Sequence, residues 1–354
     1  MAIEIIKIGG SVWGERKNGG TPDSVELIAS KIKRIDPNKK VVLVVSAFKG
    51  VTDNLIKEAT STLLTGCDPV TARHARSAYI AQGETEAANL IALALGTRSF
   101  QGIQVPFCTD DTDHPHIDLE ASGEGLLGWL RNNKTAVVAG FQGVNRDTQI
   151  ITTFARGGTD LSAIATAIIL KDRFAEAGEE VVCRIIRDNG GVRTADPKLV
   201  EDAQIHSTLS YDELYAISVA GGGQQLMQTE AMALAKAHNV VLSVGRFDDE
   251  DQKETRVTSG QAKGKGIIAV ACNSTGDARN FVDISVVGWH LNEATKGSMR
   301  QTLQQAGVEF TKIGTDEIEG VDPAISAISA SVPNTPETVQ TAVRALHEGF
   351  RLAA

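Results

Sequence analysis

Ile3-Glu4-Ile5-Ile6-Lys7-Ile8-Gly9-Gly10-Ser11 opens with a short, mostly β-branched run that stops on two glycines. It reads as a buried strand ending in a tight approach of backbone to backbone or backbone to ligand. Residues 41–45 form a similar run that stops at Ser46, and residues 135–141 form another that stops in Gly140-Phe141-Gln142-Gly143. Between these runs, residues 24–35 and 72–95 carry apolar side chains at helical spacing, and residues 181–186 and 240–244 continue the strand pattern. Strands alternating with helices predict a mostly parallel sheet with helices on both faces, an α/β sandwich of αβα type.

The remainder of the chain has a different rhythm. Asp248-Asp249-Glu250-Asp251 is a charge run followed by polar residues to about Lys265, and it reads as a solvated linker. Beyond it, residues 266–272, 282–287, 308–313 and 324–331 look like strands, and residues 296–306 and 335–350 like helices, with Pro336 suited to a first helical turn. A compact α+β unit of the βαββαβ kind is expected there. The expected division is a domain over 1–250 and a second over 260–354.

Composition narrows the function classes. Of 354 residues, 42% are hydrophobic and 22% charged, ordinary values for a globular protein with a core. A net charge of −9 argues against a nucleic-acid partner, because phosphate backbones are gripped by clustered Lys and Arg. No apolar run reaches the roughly 18–20 residues of a membrane helix. Met1-Ala2-Ile3-Glu4 lacks the basic and apolar regions of a signal peptide, so a cytoplasmic protein is expected. Cys67, Cys108, Cys183 and Cys272 are scattered, the histidines show no ligand spacing, and no metal site is expected from either.

Five segments carry chemistry. In Lys7-Ile8-Gly9-Gly10-Ser11 the glycines let backbone N–H groups reach phosphate oxygens and Lys7 adds positive charge, although the same Gly-Gly also suits a plain tight turn. Ser46-Ala47-Phe48-Lys49-Gly50-Val51-Thr52-Asp53 sits at a strand's carboxyl end, where ligands of open α/β sheets bind; Thr52 or Asp53 would serve equally as a helix cap. Gln82-Gly83-Glu84 offers a carboxylate to a substrate ammonium, or simply a solvated helix-face glutamate. Thr152-Thr153-Phe154-Ala155-Arg156-Gly157-Gly158-Thr159-Asp160 pairs a guanidinium able to grip a carboxylate with two glycines and an aspartate at a helix start. Arg187-Asp188-Asn189-Gly190-Gly191-Val192-Arg193-Thr194-Ala195-Asp196-Pro197-Lys198 follows a strand, placing Asp188 toward a metal–nucleotide and Lys198 toward phosphate, or forming only a Gly-rich turn.

In their order, these segments resemble the amino-acid kinase family, and within it the aspartate kinase branch. That branch shows K-F-G-G-T-S-V, V-S-A-x-x-G-V-T-D, a G-E pair in a helix, G-R-G-G-S-D and D-V-D-G-V-Y-T-A-D-P-R. The likeness covers about residues 3–247, and Ser210-Tyr211-Asp212-Glu213-Leu214 adds to it. The resemblance implies a kinase without a P-loop that phosphorylates the side-chain carboxylate of L-aspartate with ATP and Mg²⁺. It implies catalytic roles for Lys7 and Asp160. It implies an amino-acid site of Ser46, Thr52, Glu84, Arg156, Gly157, Gly158 and Thr159, with Arg156 on the α-carboxylate and Glu84 on the ammonium. It implies a nucleotide site of Lys7, Gly9, Gly10, Ser11, Asp188, Arg193, Asp196 and Lys198. The C-terminal unit resembles the ACT modules of the same branch, which implies a homodimer formed through it; neither nucleic acid nor membrane is an expected partner.

Several departures bear on that reading. Asp188-Asn189-Gly190-Gly191 lacks the second acid of D-V-D-G, and Arg193 replaces a tyrosine. Gln228-Thr229-Glu230-Ala231 replaces H-P-R-A, and the C-terminal region is too short for two complete ACT modules. Trp289, in Val287-Gly288-Trp289-His290, brings bulk to a loop that is small and Gly-rich in the branch. A kinase of another small amino acid, or a non-catalytic binding homologue, therefore stays open beside the aspartate reading.

Overall fold

The computed structural model describes residues 2–14, 22–35, 38–62, 68–101, 107–110, 115–155, 157–176, 178–221, 226–247, 253–260, 266–273 and 280–352. Two compact units result, Met1–Asp188 with Val240–Asp249, and Asn189–Asn239 with Glu250–Ala354. The segment 189–239 thus groups with the C-terminal half, and the chain crosses between units three times instead of once.

In the first unit the strands are β1 (Ile3–Ile8), β2 (Lys40–Val45), β3 (Arg98–Phe100), β4 (Cys108–Thr109), β5 (Ile117–Asp118), β6 (Thr135–Ala139), β7 (Gln142–Asn145), β8 (Ile151–Thr153), β9 (Val181–Ile186) and β11 (Val241–Gly245). Its helices are α1 (Gly10–Trp13), α2 (Asp23–Ile32), α3 (Val51–Thr62), α4 (Pro69–Ile80), α5 (Gln82–Leu95), α6 (Glu124–Leu130) and α7 (Gly158–Arg173). A parallel sheet runs β11-β9-β1-β2-β6-β3. β1 and β2 lie in its middle, covered on both faces, which is why their sequences are continuous apolar runs instead of alternating ones. On one face Val25, Ile28 and Ile32 of α2 and Ala87, Ala88 and Ile91 of α5 pack over Ile6, Ile8, Leu43 and Val45. α7 packs against β1 and β9, buried from Gly158 to Leu170. A small sheet, β5-β4-β7-β8, completes the unit.

From β1 the chain goes first to β2 and the β6 side, and returns later to β9 and β11 on the other side. The carboxyl end of β1 is therefore a topological switch point, the place where open α/β sheets form a crevice. The expected long helix over 72–95 is broken at Ala81 into α4 and α5. Gly83 lies just inside α5, where a Cβ would stand 2.9 Å from the Ala47 side chain. A Cβ at Gly10 would stand 2.7 Å from the Ala47 carbonyl oxygen, so the turns after β1 and β2 and the start of α5 converge on one small residue.

The second unit contains β10 (Thr208–Ser210), α8 (Tyr211–Ala220), α9 (Thr229–Ala237), β12 (Thr255–Thr258), β13 (Ile267–Cys272), β14 (Phe281–Trp289), α10 (Glu293–Gln305), β15 (Ile313–Glu317), β16 (Ile325–Pro333) and α11 (Pro336–Gly349). β10 and β12 pair in parallel. The last four strands form an antiparallel sheet in the order β13-β14-β16-β15. Ile284, Val286, Ile328 and Ala330 bury one of its faces against Met299 and Leu303 of α10 and Ala342, Val343 and Leu346 of α11. The chain order is ββαββα, the order in which the expected ranges themselves fall, and not the βαββαβ pattern named for the unit: the edge strand beside β14 comes before it in sequence. The strand expected at 308–313 lies at Ile313–Glu317 instead.

Trp289 does not stand alone. Its indole N–H donates to Glu213 Oε1 at 2.8 Å, while Glu213 Oε2 accepts from the Ser210 backbone N–H in the capping box of α8. A half-buried indole N–H is satisfied by such an acceptor.

Gly10→Ala is expected to lower stability by roughly 1–3 kcal/mol, because the added methyl meets backbone that cannot yield. Gly297→Ala, inside α10 with nothing near its would-be Cβ, is expected to raise stability by up to about 1 kcal/mol. Urea unfolding of both variants checks the pair; equal effects would contradict the convergence on Ala47.

Candidate active site

β1, β2, α5 and α7 bring the expected residues of the first unit together around the carboxyl end of the sheet. Lys7, next to last in β1, reaches Asp160 with Nζ 2.7 Å from Oδ1, and both side chains are nearly buried. α7 begins at Gly158, so Asp160 lies in its first turn instead of opening it. A carboxylate is favoured there by the helix dipole, and the adjacent ammonium neutralises it. Gly157 takes φ +89°, a left-handed backbone that favours glycine. Gly158 has no room for a side chain, since its Cβ would stand 2.5 Å from that of Phe154. Those two positions are therefore demanded by the turn into α7.

Ser46 follows β2 and donates its hydroxyl to Thr159 Oγ1 at 2.9 Å. Its backbone N–H continues the ladder to the Ile8 carbonyl. Glu84, only 2% exposed in the first turn of α5, accepts from the Ala47 N–H and from the Thr52 hydroxyl, each at 3.2 Å on Oε1. Its Oε2 is buried with no hydrogen-bond partner among the described residues. Burial pushes the Glu84 carboxyl up to about 7, against the downward pull of those hydrogen bonds. Neither a solvated helix-face glutamate nor a satisfied core residue fits these facts. Gly9 is the extended residue before α1, and Ser11 is exposed on that helix. Arg156 and Cys67 lie outside the described residues.

Trp13 and Phe48 meet edge to face in the core beside α2 and α5, with centroids 6.3 Å apart. Supporting residues beyond the sequence expectation are Phe141 and Ser162. Phe141 takes φ +66°, a strained backbone for a bulky side chain, and its N–H donates to Ser162 Oγ at 3.0 Å. The glycines flanking the Phe141-Gln142 pair were the available signal. A Cβ at Gly140 would press on Thr159 at 2.7 Å. Cys183 is buried in β9 beneath Lys7 and Asp160; burial holds its thiol protonated. Cys272 is likewise pushed up to about 11.

Asp188 is exposed just after β9. In the second unit, the expected nucleotide residues form one loop. Asp196 Oδ1 accepts from the Lys198 N–H at 2.9 Å, an Asx turn that leaves Lys198 exposed. Arg193 is half-buried and donates to the Ala203 carbonyl at 2.7 Å, so it braces its own loop. Among the described residues, no group of three or more His, Cys, Asp or Glu side chains could hold a metal ion.

The buried carboxyl, the ion pair and the glycine-lined turns gather at the carboxyl end of one parallel sheet. Residues 2–245 match the model of the amino acid kinase family, and the chain belongs to that family. It is 31% identical to the aspartokinase of Corynebacterium glutamicum over 253 residues, 69% of this chain and 54% of that protein. The chain thus spans about half the length of that relative. It shares its fold with E. coli aspartokinase III, solved with aspartate and ADP, at a TM-score of 0.74 and 16% identity, covering 99% of this chain and 100% of that one. The aspartate kinase of Synechocystis is 26% identical with a TM-score of 0.58, covering 97% of this chain and 54% of that one.

The sign of the Glu84 shift gives a stability effect. Its folded carboxyl holds a proton up to about pH 7, whereas the ordinary value is 4.5. Between those values only the folded state is protonated at this site, so the shift makes stability fall as pH rises through this window. Without substrate, Glu84→Gln is expected to remove that slope and to gain on the wild type, toward about 3 kcal/mol by pH 8. Urea unfolding from pH 4.5 to 8 measures it; a pH-independent difference between the two proteins would contradict the assignment.

Proposed function

We propose that the chain is an ATP-dependent kinase that transfers the γ-phosphoryl group to the side-chain carboxylate of L-aspartate, giving 4-phospho-L-aspartate. The observation that carries this reading is the buried Glu84 carboxyl, with one oxygen held by Ala47 and Thr52 and the other unpartnered. A substrate ammonium is the group that would complete it. Arg156 would take the α-carboxylate, and Ser46, Thr52, Gly157, Gly158 and Thr159 would shape the pocket around the amino acid. Lys7, fixed by Asp160, would stand beside the transferring phosphoryl, with Gly9, Gly10 and Ser11 offering backbone or hydroxyl donors.

The acceptor carboxylate is itself the nucleophile, so the protein's work is positioning and charge. Asp188, Arg193, Asp196 and Lys198 are proposed to border the nucleotide. Mg²⁺ would arrive with the ATP phosphates and neutralise their charge, with Asp188 a candidate carboxylate of this chain to meet it. We further propose a cytoplasmic enzyme that pairs into a homodimer through its ACT-like C-terminal unit. The aspartokinase relatives and the aspartate- and ADP-bound fold neighbour support the choice of aspartate.

Turnover of MgATP with L-aspartate in the presence of hydroxylamine is expected to give ADP and the aspartyl hydroxamate. Lys7→Ala is expected to lower kcat by about 10²-fold or more. Hydroxamate formation from a different amino acid alone would move the substrate, and unchanged kcat in Lys7→Ala would remove the assigned role.

A further inference from the structure

We infer that His347, on the last helix of the chain, is a positioning residue for the nucleotide-side loop at Arg193–Lys198. The inference rests on the proposal that this loop borders ATP. His347 is fully buried in α11, and its Nε2 lies 2.8 Å from Thr194 Oγ1. Thr194 stands at the centre of the loop's bonding. Its Oγ1 accepts from the Gln204 N–H, its own N–H donates to the Gln204 carbonyl, and its carbonyl accepts from Val270 of β13. Two residues on, Asp196 forms the turn that presents Lys198. A second tie runs from the same helix, where Arg344 Nε donates to the Leu199 carbonyl at 2.8 Å. Ala195, Val200 and Ala203 pack in one core with Ala342, Val343 and Leu346.

The core gives no reason for an imidazole at this position. His347 Nδ1 is buried with no hydrogen-bond partner among the described residues, which is a penalty that leucine would avoid. Packing alone would thus favour an apolar side chain. What the imidazole adds is one directed contact to Thr194. A hydroxyl held from two sides, by His347 and by the Gln204 N–H, sets where the Asp196 turn begins, and through it where Lys198 stands. The C-terminal helix therefore takes part in holding the nucleotide loop, not only in closing its own sheet.

The test is MgATP affinity by titration calorimetry, which needs no turnover, together with aspartate affinity and thermal unfolding. His347→Leu is expected to weaken MgATP about fivefold, the worth of one hydrogen bond, with aspartate affinity unchanged and unfolding temperature not lowered. Thr194→Val is expected to do the same, the double variant to do no more, and His347→Gln to restore wild-type affinity. If His347→Leu leaves MgATP affinity unchanged while Lys198→Ala weakens it, His347 is a core residue and the inference falls alone. If Lys198→Ala also leaves it unchanged, the nucleotide assignment falls and this inference with it.

Discussion

A carboxyl group that is buried, half satisfied and lodged at a sheet's switch point is the constraint around which the first unit is arranged. Glu84 reaches that place only because Gly83 lets α5 touch Ala47, and Ala47 offers its N–H only because Gly10 lets the turn after β1 pass over its carbonyl. The glycines of two separate motifs thus serve one contact. The chain accepts a group that burial drives toward its neutral form, near neutrality instead of far below it. Proteins place carboxyls in that range where a partner is to arrive. The Lys7–Asp160 pair meets the opposite need: it keeps a cation compensated.

Much of this was legible in the sequence, for physical reasons that differ by residue. β1, β2 and β9 are central strands, so their apolar runs carry the sheet directly. The glycines at 10, 83 and 158 stand out because each sits where a side chain would collide. Glu84 alone is an ordinary glutamate on a helical pattern, and only its neighbourhood makes it unusual. The break between α4 and α5 was hidden because both halves share helical spacing. Short strands such as β4, β5 and β8 have too few residues to show any period.

The second unit shows where sequence reading runs short. Its helix and strand content was visible, but β13 precedes β14 and still forms the edge that a βαββαβ unit would close last. Trp289 looked like an obstruction in a loop, yet it is bonded to the carboxylate that caps α8. Arg193, proposed at the nucleotide, also braces the Ala203 carbonyl of its own loop. In each instance the partner of the side chain lies outside its own element, and no local pattern announces it.

The most direct measurement is the proton balance of aspartate binding at pH 7, by calorimetry in buffers of differing ionisation enthalpy. An ammonium seated on Glu84 would force the carboxylate form, so about half a proton per site is expected to be released, and Glu84→Gln is expected to abolish the buffer dependence. Binding with no proton release, or release that persists in Glu84→Gln, would contradict the placement of the substrate ammonium on this carboxyl.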